Sequence, residues 1–393
     1  MVLLKTSFVA FVLALPTFVA SQSCPTLPSS LTLRANSKLP DPFTFFGGTK
    51  VTTKDQWTCR SEEINQLFQR LELGELPAKP SSVTGSLNGN SLSVSVTHNG
   101  NSISFTASVN LPSGTGKVPV IIALGGASIP IPSGVGTINF NNDDIAAQAS
   151  TGSRGSGKFY TIYGRNHSAA ATTAWAWGVG RIIDVLESLP NSRIDTTKLG
   201  VTGCSRNGKG ALIIGALEKR IALTIPQESG SGGAACWRIS DAMKSRGVNV
   251  QTASQIVTEN VWFSPLFNQY VNRVNDLPID HHLLAALVAP RALFVIDHSG
   301  IDWLGPESVF GCMKTGTKVY QALGIPDRMG VSQVGGHNHC QFPSSQGSEL
   351  NAFIDKFLKG NTAANTNVVR TDKANNAGFV ESSWVDWTTP TLS

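Results

Sequence analysis

Gly200-Val201-Thr202-Gly203-Cys204-Ser205-Arg206-Asn207-Gly208-Lys209-Gly210 is the stretch on which the fold turns. An apolar, strand-like run from Lys198 to Thr202 stops at Gly203. Ser205 follows two residues later, and Gly208 to Arg220 then carries a helical pattern. A strand, a sharp turn with a serine at its apex and a helix make the layout of a nucleophile elbow. The turn has to be tight, because the serine hydroxyl must meet a histidine on one side and a carbonyl carbon on the other. Small residues beside it let the backbone fold that sharply. The general pattern is G-x-S-x-G, and here the second glycine is displaced by one, to Gly208. Taken alone, the stretch also fits a glycine-rich strand-to-helix turn that merely carries a serine.

Working outward, Ser91 to His98 alternates polar and apolar residues, and Ser102 to Leu111 alternates again after Asn99-Gly100-Asn101. Two such runs around an Asn-Gly turn predict a β-hairpin. Val118 to Leu124 is continuously apolar, as in a strand buried on both faces. Ala169 to Leu189 reads as a helix stopped by Pro190, and Leu199 to Thr202 as a strand. Further strands are expected around Ile221 to Ile225, Arg291 to Asp297 and Val331 to Val334, with a closing helix from Ser344 to Leu358. Alternating strands and helices imply a mostly parallel central sheet flanked by helices. With the opening hairpin and the elbow, this points to an α/β-hydrolase fold.

Residues 1–20 read as a secretory signal peptide: one lysine, then an almost wholly apolar run too short for a comfortable membrane span. Six cysteines, an even number, suit three disulfides in an oxidising compartment. Asn166-His167-Ser168 is a glycosylation sequon. The charge of +5 is mild and unclustered, which argues against nucleic acid and membrane surfaces as partners. Residues 21–393 read as one catalytic domain without a carbohydrate-binding module, acting as a monomer. The tail 361–393 is rich in Asn and Thr, but Trp384 and Trp387 argue that its end docks onto the body.

A serine needs a base, and the base needs an acid to hold its tautomer. Of seven histidines, His337 and His339 follow the last expected strand, where this fold places its base. His98, His281, His282 and His298 read as structural. Cys204 precedes Ser205 and Cys340 follows His339, so a disulfide between them would tie the nucleophile's turn to the base's loop. His339 is therefore the expected base, with His337 beside it or facing substrate. A metal site built on His-x-His-Cys is set aside, because a secreted chain would oxidise that cysteine. The acid stays open between Glu228, Asp297 and Asp302.

These motifs together resemble the glucuronoyl esterases, carbohydrate esterase family fifteen. The likeness spans the mature chain, through Gly203-Cys204-Ser205-Arg206-Asn207-Gly208-Lys209, the Glu228 segment, Thr258-Glu259-Asn260-Val261-Trp262-Phe263, Gly336-His337-Asn338-His339-Cys340 and Trp384-Val385-Asp386-Trp387. The displaced glycine matches the family's own form. The resemblance implies a triad of Ser205, His339 and Glu228, with Arg206 at the oxyanion. It also implies sugar contacts from Lys209, Gln251, Glu259 and Trp303, and disulfides Cys24–Cys59, Cys204–Cys340 and Cys236–Cys312. The implied substrate is the ester joining 4-O-methyl-D-glucuronic acid of glucuronoxylan to a lignin alcohol, without a cofactor. An acetyl or feruloyl xylan esterase shares the triad but has less need of four sugar contacts. A non-catalytic hydrolase-fold binding protein would have no need of all three triad residues.

Overall fold

The alternation that marks the strands also divides the interior of this chain into two cores. The computed structural model describes residues 24–393, so the expected signal peptide lies outside the described residues. The strands are β1 (Ser82–Asn88), β2 (Ser91–His98), β3 (Asn101–Asn110), β4 (Val118–Leu124), β5 (Gly136–Phe140), β6 (Ile194–Cys204), β7 (Ile221–Gln227), β8 (Ala292–Asp297), β9 (Met329–Gln333) and β10 (Val369–Thr371). They form one sheet in the order β1-β2-β3-β5-β4-β6-β7-β8-β9-β10. The pairs from β1 through β3 to β5 are antiparallel, and those from β5 onward are parallel. The expected α/β-hydrolase architecture is thus present: a mostly parallel sheet, entered through an antiparallel hairpin.

Helices α1 (Lys54–Phe68), α2 (Ala171–Glu187), α3 (Arg206–Leu217), α4 (His281–Val288), α5 (Pro306–Ala322) and α6 (Gly347–Phe357) flank it. Neighbouring residues of a strand point to opposite faces. Val120, Ile122 and Leu124 of β4 therefore join the larger core, with Trp175 of α2 and Leu212 of α3. Ile121 between them faces a smaller core with Phe294, Ile296 and α6 residues Leu350, Phe353 and Ile354. Phe353 stacks on Phe294 with ring centroids 4.5 Å apart. Each core fixes strand register, because a slip of one residue would turn every apolar side chain to the wrong face.

The hairpin and β4 lie where the alternation puts them, and Asn99 and Gly100 at the turn both take positive φ (49° and 82°). β6 begins at Ile194, earlier than the apolar run implied, because its first residues pair with Val118 before a bulge. Several elements carry no clear local signal: β1, β5, β10, α1 and α5. In α5, Gly311, Thr315, Gly316 and Thr317 are weak helix formers. Packing holds that helix instead, since a Cβ at Gly311 would lie 2.1 Å from the Phe379 ring. In the tail, β10 adds a strand beside β9. Beyond it the Trp387 indole N–H donates to the Leu39 carbonyl at 2.9 Å, and its ring meets Phe43 edge-on. Among the described residues no helix is long and apolar enough to cross a membrane.

Candidate active site

The carboxyl ends of β4, β6, β7, β8 and β9 open on one edge of the sheet, where α/β folds assemble their sites. β6 ends at Cys204, and Ser205 takes φ 58° and ψ −124° before α3 begins. A non-glycine residue in that region is strained, and such strain gathers at functional turns. Its neighbours show why. A Cβ on Gly203 would lie 2.5 Å from the Asn207 carbonyl oxygen, and one on Gly208 would lie 2.4 Å from that of Gln227. The Gly208 contact explains the displaced glycine: the first turn of α3 presses against the end of β7. There the Ser205 N–H also donates to Gln227 O at 3.0 Å. Gly208→Ala is expected to destabilise the chain by about 1–3 kcal/mol and to lower kcat. A denaturant midpoint equal to wild type would show that the strand end yields instead.

Glu228 leaves the end of β7 fully buried, also at positive φ (43°). Its Oε2 accepts from His339 Nδ1 at 2.7 Å and from the Cys340 N–H at 2.7 Å. An ionised carboxylate only accepts, so Nδ1 carries the proton and Nε2 is left as the basic nitrogen. His339 Nε2 is buried and has no hydrogen-bond partner among the described residues. Trp303 packs edge-on against the imidazole, with ring centroids 4.8 Å apart. Cys204 and Cys340 form a disulfide with Cα atoms 5.8 Å apart, joining the serine's turn to the histidine's loop.

The other implied residues fall into two contact groups, Arg206 with Lys209 on Trp262, and Gln251 with Glu259 and Trp303 beside His339. Arg206 is the first residue of α3, where backbone N–H groups lack intrahelical partners. Its guanidinium lies over Trp262 at 5.8 Å, and no carboxylate pairs with it among the described residues. Lys209 is no solvated lysine: it is 3% exposed, and its ammonium donates to Ser229 O at 2.5 Å and faces Trp262 at 5.6 Å. Burial lowers its pKa to about 8, against the opposing pull of Glu259 and Asp297. Gln251 donates to Glu259 at 2.6 Å, and its backbone N–H donates to Trp303 O at 3.2 Å. Basic, acidic, amide and aromatic groups are thus in contact around His339 and the start of α3.

A family model for fungal glucuronyl esterases matches residues 94–324, more than half of the chain. The chain belongs to the glucuronoyl esterases. The 4-O-methyl-glucuronoyl methylesterase of Hypocrea jecorina is 59% identical over 372 residues, covering 94% of this chain and 80% of that protein. The solved glucuronoyl esterase catalytic domain from Hypocrea jecorina superposes with a TM-score of 0.90 at 60% identity, over 93% of this chain and 100% of that one. A serine-to-alanine mutant of the Sporotrichum thermophile glucuronoyl esterase was solved in complex with methyl 4-O-methyl-β-D-glucopyranuronate. It superposes with a TM-score of 0.91 at 56% identity, over 95% of this chain and 100% of that one. This glucuronoyl esterase is a carboxylic ester hydrolase.

The esterase also contains the disulfides Cys24–Cys59 and Cys236–Cys312. The sulfurs of Cys204 and Cys340 lie within 4.8 Å of donor atoms on Glu228 and His339. Both sulfurs are spent in the disulfide, and the two other donors bond each other. Of the carboxylates left open by sequence, Asp302 is exposed in a short turn before Trp303. Asp297 is buried but accepts from the His298 N–H, not from His339. His337 packs at a tilt against His298, with ring centroids 4.3 Å apart, and brings Nδ1 to 3.7 Å from Glu228 Oε1. His281 is buried between Glu72 and Gly233 O, and His282 donates to Pro40 O. His98 sits in the hairpin beside Tyr163.

Trp262 and Gln148 were not singled out from sequence. The Trp262 indole N–H donates to Gln148 Oε1 at 2.7 Å, and its ring underlies both Arg206 and Lys209. Only the tryptophan inside the Thr258–Phe263 motif hinted at this floor. Gln148 lies in a loop with no pattern of its own.

Proposed function

We propose that this esterase cleaves the ester between 4-O-methyl-D-glucuronic acid of glucuronoxylan and lignin alcohols, through an acyl-enzyme on Ser205. The observation that carries the reading is the Glu228–His339 hydrogen bond of 2.7 Å, which leaves the buried Nε2 as the base on a loop bridged to the serine's turn. Ser205 Oγ attacks the uronoyl carbonyl while His339 Nε2 takes its proton. Glu228 stabilises the imidazolium, and His339 returns the proton to the departing alcohol. Water then repeats the sequence and frees the uronic acid. The Arg206 N–H, at the positive end of α3, and its guanidinium face the developing oxyanion.

Lys209, Gln251, Glu259 and Trp303 are assigned to the sugar, with polar groups for hydroxyls and an indole for the ring's apolar edge. The ring would rest on the floor that Trp262 makes under Arg206 and Lys209. Residues 1–20 are assigned as a secretion signal, residues 21–393 as one monomeric catalytic domain, and the exposed Asn166 as a glycan site. A disulfide for every cysteine supports an extracellular setting.

The test is hydrolysis of benzyl D-glucuronate against 4-nitrophenyl acetate and acetylated xylan. Preference for the glucuronate ester by at least about tenfold in kcat/KM is expected, since a site built to bond hydroxyls discriminates against substrates lacking them. Preference for acetyl substrates would keep the serine chemistry and remove the sugar roles given to these four residues.

A further inference from the structure

β7 and β8 are paired neighbours with Gln227 opposite Ile296, so Glu228 and Asp297 leave their strands side by side. The Glu228 N–H donates to Ile296 O at 2.7 Å and locks that register. Both carboxyl groups are out of water, Glu228 at 0% and Asp297 at 1% exposure. Each has one oxygen in use. Glu228 Oε2 serves His339 and Cys340, and Asp297 Oδ1 takes the His298 N–H at 2.8 Å. The other two oxygens, Glu228 Oε1 and Asp297 Oδ2, are buried without a donor among the described residues. Two unpartnered buried acceptors on neighbouring strand ends are costly, and two full charges there more so.

Among the described residues no side chain donates to either of these two oxygens, and on the Asp297 carboxyl the only further donor nearby is the Gly230 N–H. The Lys209 ammonium is engaged by Ser229 O. His298 accepts the Gly300 N–H at Nδ1 and gives Nε2–H to His337 O, so it is neutral. His337 stands 3.7 Å from Glu228 Oε1, beyond hydrogen-bond reach, with its nitrogens on the carbonyls of Val334 and Asn338. The strand register sets the two carboxyls next to each other, so a single proton shared between them would satisfy both orphaned oxygens at once.

We propose that Asp297 is a positioning residue for the esterase reaction: its carboxyl is held as the acid, and Oδ2–H donates to Glu228 Oε1. Electrostatics agree. Burial first, then the charge of Glu228, raises the Asp297 pKa to about 8, while Lys209 and the N–H groups of His298 and Gly230 pull it down. A group raised in this way stays neutral below about pH 8. Hydrogen-bonded on Oε1, Glu228 carries a single charge and keeps Oε2 turned to His339. The inference rests on Glu228 being the partner of His339 in catalysis.

The test is difference infrared spectroscopy with kinetics on the full-length protein. At about pH 6.5 the wild type should show a protonated carboxyl C=O band that is missing in Asp297→Asn and fades as pH rises through about 8. Asn keeps an N–H donor in place, so its kcat should stay within about 5-fold of wild type. Asp297→Leu, of similar volume but without a donor, should lose at least about 30-fold in kcat with KM little changed. Absence of the band, or equal losses in the Asn and Leu variants, would overturn the proposal. The Asn variant and the band keep it decidable should the Leu variant fail to fold. Near-normal activity of Glu228→Gln, with the band present in the wild type, would instead remove the triad reading and with it the positioning role, and leave only the proton on Asp297 standing.

Discussion

Ser205→Ala is expected to remove turnover by on the order of 10⁴ to 10⁶-fold while leaving sugar binding intact. The alanine keeps the volume of the turn and its backbone geometry, so the change takes away only the nucleophile. Arg206, Lys209 and Trp262 should hold their positions, because their contacts run to Ser229 O and to one another and not to the serine hydroxyl. Single-turnover kinetics on benzyl D-glucuronate, with calorimetric titration of methyl glucuronate, reads the two effects separately. Retention of more than a trace of activity would mean that another group attacks the ester. Loss of binding in step with turnover would mean that the hydroxyl holds the ground state.

Glu228→Gln is expected to lower kcat by about 10⁴-fold with little change in KM. The carboxylate accepts two hydrogen bonds on one oxygen, from His339 Nδ1 and the Cys340 N–H. An amide either turns its NH₂ toward those donors or keeps its oxygen there without the charge. The first choice inverts the imidazole tautomer and places a proton on Nε2, where the base is needed. The second leaves the imidazolium without its buried counter-charge. The substitution is nearly isosteric, so the fold should survive and the loss should appear in kcat. A loss under about tenfold would show that His339 is held by something other than Glu228.

How much of this was legible before the chain was folded differs from element to element. The elbow could be read because its demands are local: an apolar strand, a sharp turn and a helix, with small residues where backbone crowds backbone. The hairpin and β4 were equally plain, since alternation and an unbroken apolar run are properties of consecutive residues. β5 is short, and α5 has glycines and threonines at its centre. Their identities come from neighbours, in α5 from the Phe379 ring against Gly311. The base could be argued from sequence because two cysteines sit beside the serine and the histidine.

The acid could not, and the reason is physical. Glu228 and Asp297 end adjacent parallel strands, and chain order permits either to reach the histidine. The choice depends on which carboxylate oxygen points at Nδ1, a matter of side-chain direction at φ 43° and of the Cys340 N–H that fixes the same oxygen. Nor does Lys209, four residues past the serine, reveal in the sequence whether its ammonium is solvated or buried. Only packing decided that its ammonium is buried against Ser229 and Trp262, because burial depends on what the rest of the chain lays over it. By itself the sequence determined the strand–turn–helix around Ser205, the hairpin and the residue types available for acyl transfer, all of which depend on near neighbours. Which carboxylate meets the histidine, and which cation is buried against Ser229, were left to tertiary structure, because both depend on residues that meet only when separate strands come side by side.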